Sequence, residues 1–304
     1  MYLRLFYNAL DIHHNVFNFH QIKIFMKILI LGGTKYLGLE TANLLVDSGH
    51  KVTVVSRKKV NNHHISYEEC DRKNLTKLKK VIVKIKPDFI LDMICFDKKD
   101  AIDINKLFSD GTLDTISHYL IVSTSLIYNY ADSYERVFDG VIPNKTDKYT
   151  KNKINAEIEL HKNKFFPKIT IARLPFIFSF DDYTERFQTF CEMSLSNKSI
   201  DLNDKVQISM VSKKDAAKCL SLLLFKKPLG FVDVANDGCM SLLELAMVIK
   251  KSCNNVSNSN FFHNEKIPYQ TKKSICMRSS KIKSLRPLEI AIAEEAKNWI
   301  DVGD

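Results

Sequence analysis

No apolar run in the 304 residues approaches the roughly 18 to 20 needed to cross a bilayer as a helix, so nothing in the sequence predicts a membrane span. The seven cysteines contain no C-x-x-C and no ligand-like spacing with the nine histidines. Neither a zinc site nor a structural disulfide is therefore expected, and a reduced, cytoplasmic setting is. There is no internal repeat and no long low-complexity segment. Residues 1–25 mix His, Asn and aromatics and offer neither a clean apolar stretch nor a small-residue cleavage site. They are read as lying outside the fold, either as a disordered extension or as an upstream start with Met26 the true first residue. The basic residues give a formal charge of +10, yet their pairs (Lys79-Lys80, Lys98-Lys99, Lys213-Lys214, Lys226-Lys227, Lys250-Lys251) are scattered rather than grouped. Solvated helix faces explain them, with no nucleic-acid or membrane patch. The 45% apolar and 26% charged content is that of an ordinary globular protein, long enough for one substantial core with a smaller second lobe.

From Met26 onward, short apolar runs alternate with amphipathic stretches, a pattern of parallel strands joined by helices. Strands are expected near 27–32, 51–56, 88–93, 118–123 and 168–174, and helices near 37–48, 74–86, 99–109 and 149–163. The expectation is an α/β protein, a Rossmann-type doubly wound parallel sheet with a smaller C-terminal substrate lobe. Residues 26–175 would form the nucleotide-binding domain, continued in parts of 205–240, and 176–304 mainly the lobe. A helical run at 213–226 and a closing helix carrying Trp299 on its apolar face belong to this second part.

In "ILILGGTKYLGLE", Gly32, Gly33 and Gly38 follow a strand and open a helix, where backbone N–H groups can cradle a pyrophosphate. Thr34, Lys35, Tyr36 and Leu37 complete this turn. At the end of the second strand, where selection of NAD places a carboxylate on the ribose 2′-hydroxyl, stand Ser56, Arg57 and Lys58. A hydroxyl and a guanidinium there suit a 2′-phosphate. Lys35 projects from the same side and would form the second jaw of a clamp with Arg57, so NADP(H) is expected over NAD(H). The alternative is that Lys35 is a solvated loop residue and Arg57 stacks on adenine. Asp71 is placed either to accept from the adenine amino group or to cap the helix that begins near Asn74.

Tyr149 and Lys153, four apart on a helix-favouring stretch, share one face. A phenol is a poor base at neutral pH until a nearby ammonium favours its ionised form. Ser123, Thr124 and Ser125 end a predicted core strand, where a hydroxyl can hydrogen-bond the oxygen of a carbinol or ketone.

The glycine turn, "VSTSLIY" and "YTKNK" occur in the order and approximate spacing of the extended short-chain dehydrogenase/reductases. The chain resembles their NAD(P)-dependent epimerase/dehydratase family, which acts on nucleotide sugars. "ARLPFIFS", "VQISMVSKKDAA" and "SKIKSL" also resemble segments of that family. The resemblance implies that Thr124 is the catalytic hydroxyl and Tyr149 the general acid/base. Lys153 would be the partner that lowers the tyrosine pKa and holds the nicotinamide ribose. It also implies a nucleotide-sugar substrate and a homodimer. Lys35 replaces the family's middle glycine, Asp92-Met93-Ile94-Cys95 the small-residue run beside the cofactor, and Ser179-Phe180 a Gly-Pro. Ser125 and Leu126 stand where the dehydratases carry an Asp-Glu pair, so an epimerase or reductase is expected and a 4,6-dehydratase is not. A second reading is a protein on the same fold that binds RNA or senses NADP(H) without turnover.

Overall fold

A computed structural model describes residues 25–58, 64–130, 146–196, 202, 204–253, 267–271, 273–277 and 285–303. The N-terminal segment 1–24, Arg278 and "SKIK" at 280–283 lie outside these. Nine strands and eight α-helices are found among the described residues. They are β1 (Lys27–Leu31), α1 (Tyr36–Asp47), β2 (Lys51–Ser56), β3 (Ser66–Glu69), α2 (Leu75–Ile85), β4 (Phe89–Asp92), α3 (Lys98–Ser109), β5 (His118–Thr124), α4 (Lys148–His161), β6 (Ile169–Leu174), β7 (Phe176–Phe178), α5 (Arg186–Leu195), β8 (Met210–Ser212), α6 (Lys213–Lys226), β9 (Gly230–Asp233), α7 (Leu242–Ser252) and α8 (Leu288–Gly303).

The runs "ILIL", "VTVV" and "FIL" are apolar but for Thr53, and their strands are buried on both faces, as a parallel sheet covered on two sides requires. Seven strands form one sheet in the order β3-β2-β1-β4-β5-β6-β9, every pairing parallel. Leu37, Ala42 and Leu45 of α1 join Ala216, Ala217, Leu220, Leu223 and Leu224 of α6 against one face. The other face carries α2, α3 and α4 through Leu78, Ile82, Ile104, Leu107, Phe108 and Leu160. Chain order reverses between β1 and β4, and the crevice outside their carboxyl ends is where such sheets take ligands.

The expected strands and helices of the first half are found with small shifts at their ends. β3, whose "SYEE" is polar, was not expected as a strand, since an edge strand need not be apolar. The helix expected at 213–226 and the segment to Asp233 return to the large sheet. The other described residues after β6 mostly surround a separate core of Phe178, Phe187, Phe190, Leu245, Ile249 and Ile292, with Trp299 of α8 half-buried against it.

One expectation is overturned. Cys239 and Cys276, 37 residues apart, form a disulfide with Cα atoms 5.5 Å apart. Sequence spacing could not show it, because the pairing is made in three dimensions. Ile208 bridges to both Met240 and Ile275, which sets the two cysteines side by side. Cys70, Cys95, Cys191, Cys219 and Cys253 are buried free thiols. Among the described residues no helix is long and apolar enough to cross a membrane.

Candidate active site

The glycine turn lies at the carboxyl end of β1. Gly32 has φ +85°, a region that L side chains rarely adopt, and an added Cβ there would meet Ile94 Cγ2 at 2.5 Å. At Gly38, a Cβ would lie 2.7 Å from the Gly32 carbonyl oxygen, so only glycine lets α1 start this close to the turn. Leu37 is buried and Thr34 half-buried, while Lys35 is exposed. The Lys35 ammonium sits 5.6 Å over the ring of Tyr183. Tyr36 opens α1 with φ 47°, an uncommon conformation for an aromatic residue. Its ring is held from several sides: Tyr183 meets it edge-on at 5.7 Å, Lys213 lies 5.7 Å above it, and Ser179 donates a 3.1 Å hydrogen bond to its hydroxyl. The departure at Ser179 from the family's glycine thus has a use in this chain.

Ser56 ends β2 half-buried, its hydroxyl closing a short turn with the Lys58 N–H and carbonyl at 3.0 Å each. Arg57 is exposed beside it. Asp71 is exposed and accepts from the Lys73 N–H at 2.9 Å. Asn74, rather than Asp71, caps α2, accepting from the Lys77 N–H. Met93, half-buried, ties the end of β4 to β1 by donating to the Leu31 carbonyl at 3.0 Å. Asp92 departs from its expected place in the cofactor-binding set. It is 0% exposed, and its carboxylate accepts from Arg72 at 2.8 Å, Tyr119 at 3.1 Å and the Ile94 N–H at 3.0 Å. Its side chain faces the interior, where an unpaired carboxylate would be costly, and is spent on holding the loop after β4.

Tyr149 stands in the first turn of α4, which Asp147 caps by accepting from the Thr150 N–H. Thr124, at the end of β5, lies close enough to the Tyr149 hydroxyl to act on its ionisation. The tyrosine is 46% exposed as a whole, but desolvation of its hydroxyl end pushes the phenol pKa up, Thr124 draws it down and Asp147 pushes it up further. Lys153, one turn on, is 3% exposed and donates to the carbonyls of Cys95 and Val122, both at 2.9 Å, with Phe96 covering it at 5.0 Å. The expected lowering of the Tyr149 pKa by Lys153 is therefore not found: this ammonium is aimed at two carbonyls, and Thr124 alone lowers the phenol. Burial lowers the Lys153 pKa, against the pull of Cys95, Asp92, Glu157 and Asp100.

The structure thus brings Thr124, Tyr149 and Lys153 together at the carboxyl end of the sheet. Arg186 pairs with Asp182 at 3.3 Å and Arg286 with Asp215 at 2.6 Å. Sequence reasoning missed Arg72, Arg173 and Glu157. Only Glu157 carried a local signal, since it continues the four-residue spacing of Tyr149 and Lys153.

Residues 28–117 match the family described as NAD dependent epimerase/dehydratase family. Over these residues, less than half of the chain, the sequence is similar to that family. A sequence comparison with curated proteins finds no match. Among solved structures, the Bordetella bronchiseptica enzyme WbmG in complex with NAD and UDP is similar at 16% identity and TM-score 0.69, over 92% of this chain and 96% of that one. UDP-glucose 4-epimerase from Thermotoga maritima, with UDP-glucose, is similar at 17% identity and TM-score 0.68, over 92% and 100%. A dTDP-glucose 4,6-dehydratase from Bacillus anthracis in complex with NAD is similar at 12% identity and TM-score 0.68, over 92% and 97%. At these identities the likeness establishes the fold.

Proposed function

We propose that this protein is an NAD(P)-dependent enzyme that acts on a nucleotide sugar, or a similar carbinol or ketone, by hydride transfer with Tyr149 as the acid/base. The observation that carries this reading is the placing of Thr124 where it draws down the Tyr149 phenol pKa, one helical turn from the buried Lys153 and at the carboxyl ends of the same sheet as the glycine turn. The cradle fits a dinucleotide: side chains at Gly32 and Gly38 would fill it, and N–H groups at the start of α1 suit a pyrophosphate. A nicotinamide bound there would supply the hydride acceptor or donor. Tyr149, its pKa raised, holds its proton at neutral pH and is set to give it to a carbonyl oxygen. Thr124 can hold that same oxygen.

NADP(H) is favoured over NAD(H). Ser56 ends β2 and Arg57 and Lys58 follow it, with no carboxylate among them, and Lys35 and Arg57 are exposed cations. An epimerase or a reductase is favoured over a 4,6-dehydratase. The residues after Thr124 are the buried Ser125 and the apolar Leu126, which supply no acid and base for eliminating water. The similar structures include both epimerases and a dehydratase, so this preference rests on the residues alone.

Titration of the purified protein with NADPH and NADH, followed by nicotinamide fluorescence, tests the reading. The expected result is tighter NADPH binding that Lys35→Ala and Arg57→Ala each weaken by roughly tenfold, about the contribution of one charge-assisted hydrogen bond. Equal or NADH-favoured binding would remove the clamp, and failure to bind either would move the reading to a protein that works without nicotinamide.

A further inference from the structure

The Lys153 ammonium donates to two backbone carbonyls, those of Cys95 and Val122, and each is pinned by a buried acid held by a buried arginine. On one side, Ile94 and Phe96, the neighbours of Cys95, donate their N–H groups to Asp92 at 3.0 Å and to Asp100 at 2.8 Å. Arg72, 5% exposed, pairs with both acids, Asp92 at 2.8 Å and Asp100. On the other side, Ser123, the neighbour of Val122, donates to Glu157 at 2.5 Å. Arg173, 0% exposed and beside Ser123 in the sheet register, grips that carboxylate with its NH2 group at 2.5 Å and extends to the Tyr128 hydroxyl at 3.0 Å.

Buried ion pairs are costly to desolvate, and well-packed apolar residues often replace them without loss. Two such assemblies converging on one lysine, from opposite sides of β5, call for a reason other than stability. We propose that Arg72 and Arg173 are positioning residues which, through Asp92, Asp100 and Glu157, fix the two carbonyls that aim the Lys153 ammonium and keep it charged. The proposal rests on the reading of Lys153 as part of the active site. The groups facing Lys153 are the Cys95 carbonyl and thiol, the Phe96 ring, Asp92 and Asp100 from the β4 and α3 side, Val122 from β5, and Glu157 from its own helix.

The test is NMR of protein labelled with ¹⁵N at lysine Nζ, the Lys153 signal being identified by its loss in Lys153→Arg. Its titration midpoint is compared in the parent, Glu157→Gln, Asp92→Asn, Ser123→Ala and the double variant Glu157→Leu with Arg173→Met, each alongside its thermal midpoint. Removing a carboxylate should lower the Lys153 midpoint by about one pH unit or more. The double variant should recover stability while the Lys153 midpoint stays low. Ser123→Ala, which leaves both ion pairs intact, gives a smaller shift in the same direction and serves if the charge variants do not fold. A midpoint unchanged throughout, or one that merely follows stability and returns to the parent value in the double variant, overturns the proposal. The titration needs neither nicotinamide nor substrate. Failure to bind nicotinamide would sink the proposed function and leave this result standing, while an unmoved Lys153 would sink only this inference.

Discussion

In the half built on β1 to β6 and β9, each strand runs in parallel register with its neighbour and helices cover both faces. The lobe of β7, β8, α5, α7 and α8 has one pair of three-residue strands and is closed by single bridges at Ile208, Met240, Ile275 and Asp237 together with the Cys239–Cys276 disulfide. The first half spreads its cohesion over a continuous hydrogen-bonded ladder with a core on either face. The lobe packs around a core of its own but has few backbone pairings, so a local change at one of them should have local effects. Ala235, Ile275 and Met277 of the lobe also pack against Leu126 and Tyr128, in the 3-10 turn Ser125–Asn129 that follows Thr124. The half that carries the candidate chemistry thus meets the lobe beside the disulfide, as it also does where Ser179 and Tyr183 hold Tyr36.

The sharpest way to separate the halves is Tyr149→Phe. If the chemistry belongs to the sheet half, this substitution should lower turnover by roughly 10²- to 10⁴-fold, leaving nicotinamide binding and thermal stability near the parent values. Steady-state rates beside fluorescence titration decide it, and retained turnover would move the acid/base elsewhere. Next, Cys239→Ser opens the 37-residue span, a loss of at most about 4 kcal/mol by loop entropy. Hydrogen exchange should quicken at 207–209 and 273–277 while β1, β4 and β5 stay protected. Uniform quickening would mean that the two halves unfold as one.

A third effect belongs to the sheet half alone. His118, 1% exposed on β5, has its pKa pushed down to about 4 by burial and by Lys227. In the unfolded chain it titrates at the ordinary 6.5. Between these values the unfolded state binds the extra proton, so stability is full above about pH 6.5 and falls as the pH drops towards 4, by up to about 3 kcal/mol. Denaturant titrations at pH 7 and 4.5 should show this slope, and His118→Leu should flatten it. The smallest effect is at Gly38→Ala, where the new Cβ meets backbone at 2.7 and 2.9 Å. It should cost about 1 to 3 kcal/mol and weaken nicotinamide binding, with no change in exchange within the lobe.

Much of this could be read without coordinates because it rests on near neighbours in the chain. Apolar runs and amphipathic spacings announce the strands and helices of the sheet half, the glycines announce the turn, and the four-residue step from Tyr149 to Lys153 puts both on one helix face. The lobe was less legible, since its short strands and bridges draw on residues such as Ile208, Met240 and Ile275 whose proximity no local pattern encodes. The cysteine arithmetic failed there for the same reason.

The site divides along the same line. Residue type and spacing determined that a hydroxyl, a phenol and an ammonium should meet at the end of a parallel sheet. Only the tertiary structure decided that Asp92 turns inward to Arg72, that Arg173 meets Glu157 across the β6–α4 contact, and that Lys153 points at two carbonyls. A charge with no water around it must find its counterpart wherever the fold places one, and those counterparts lie 16 and 20 residues away along the chain, beyond the reach of any local pattern.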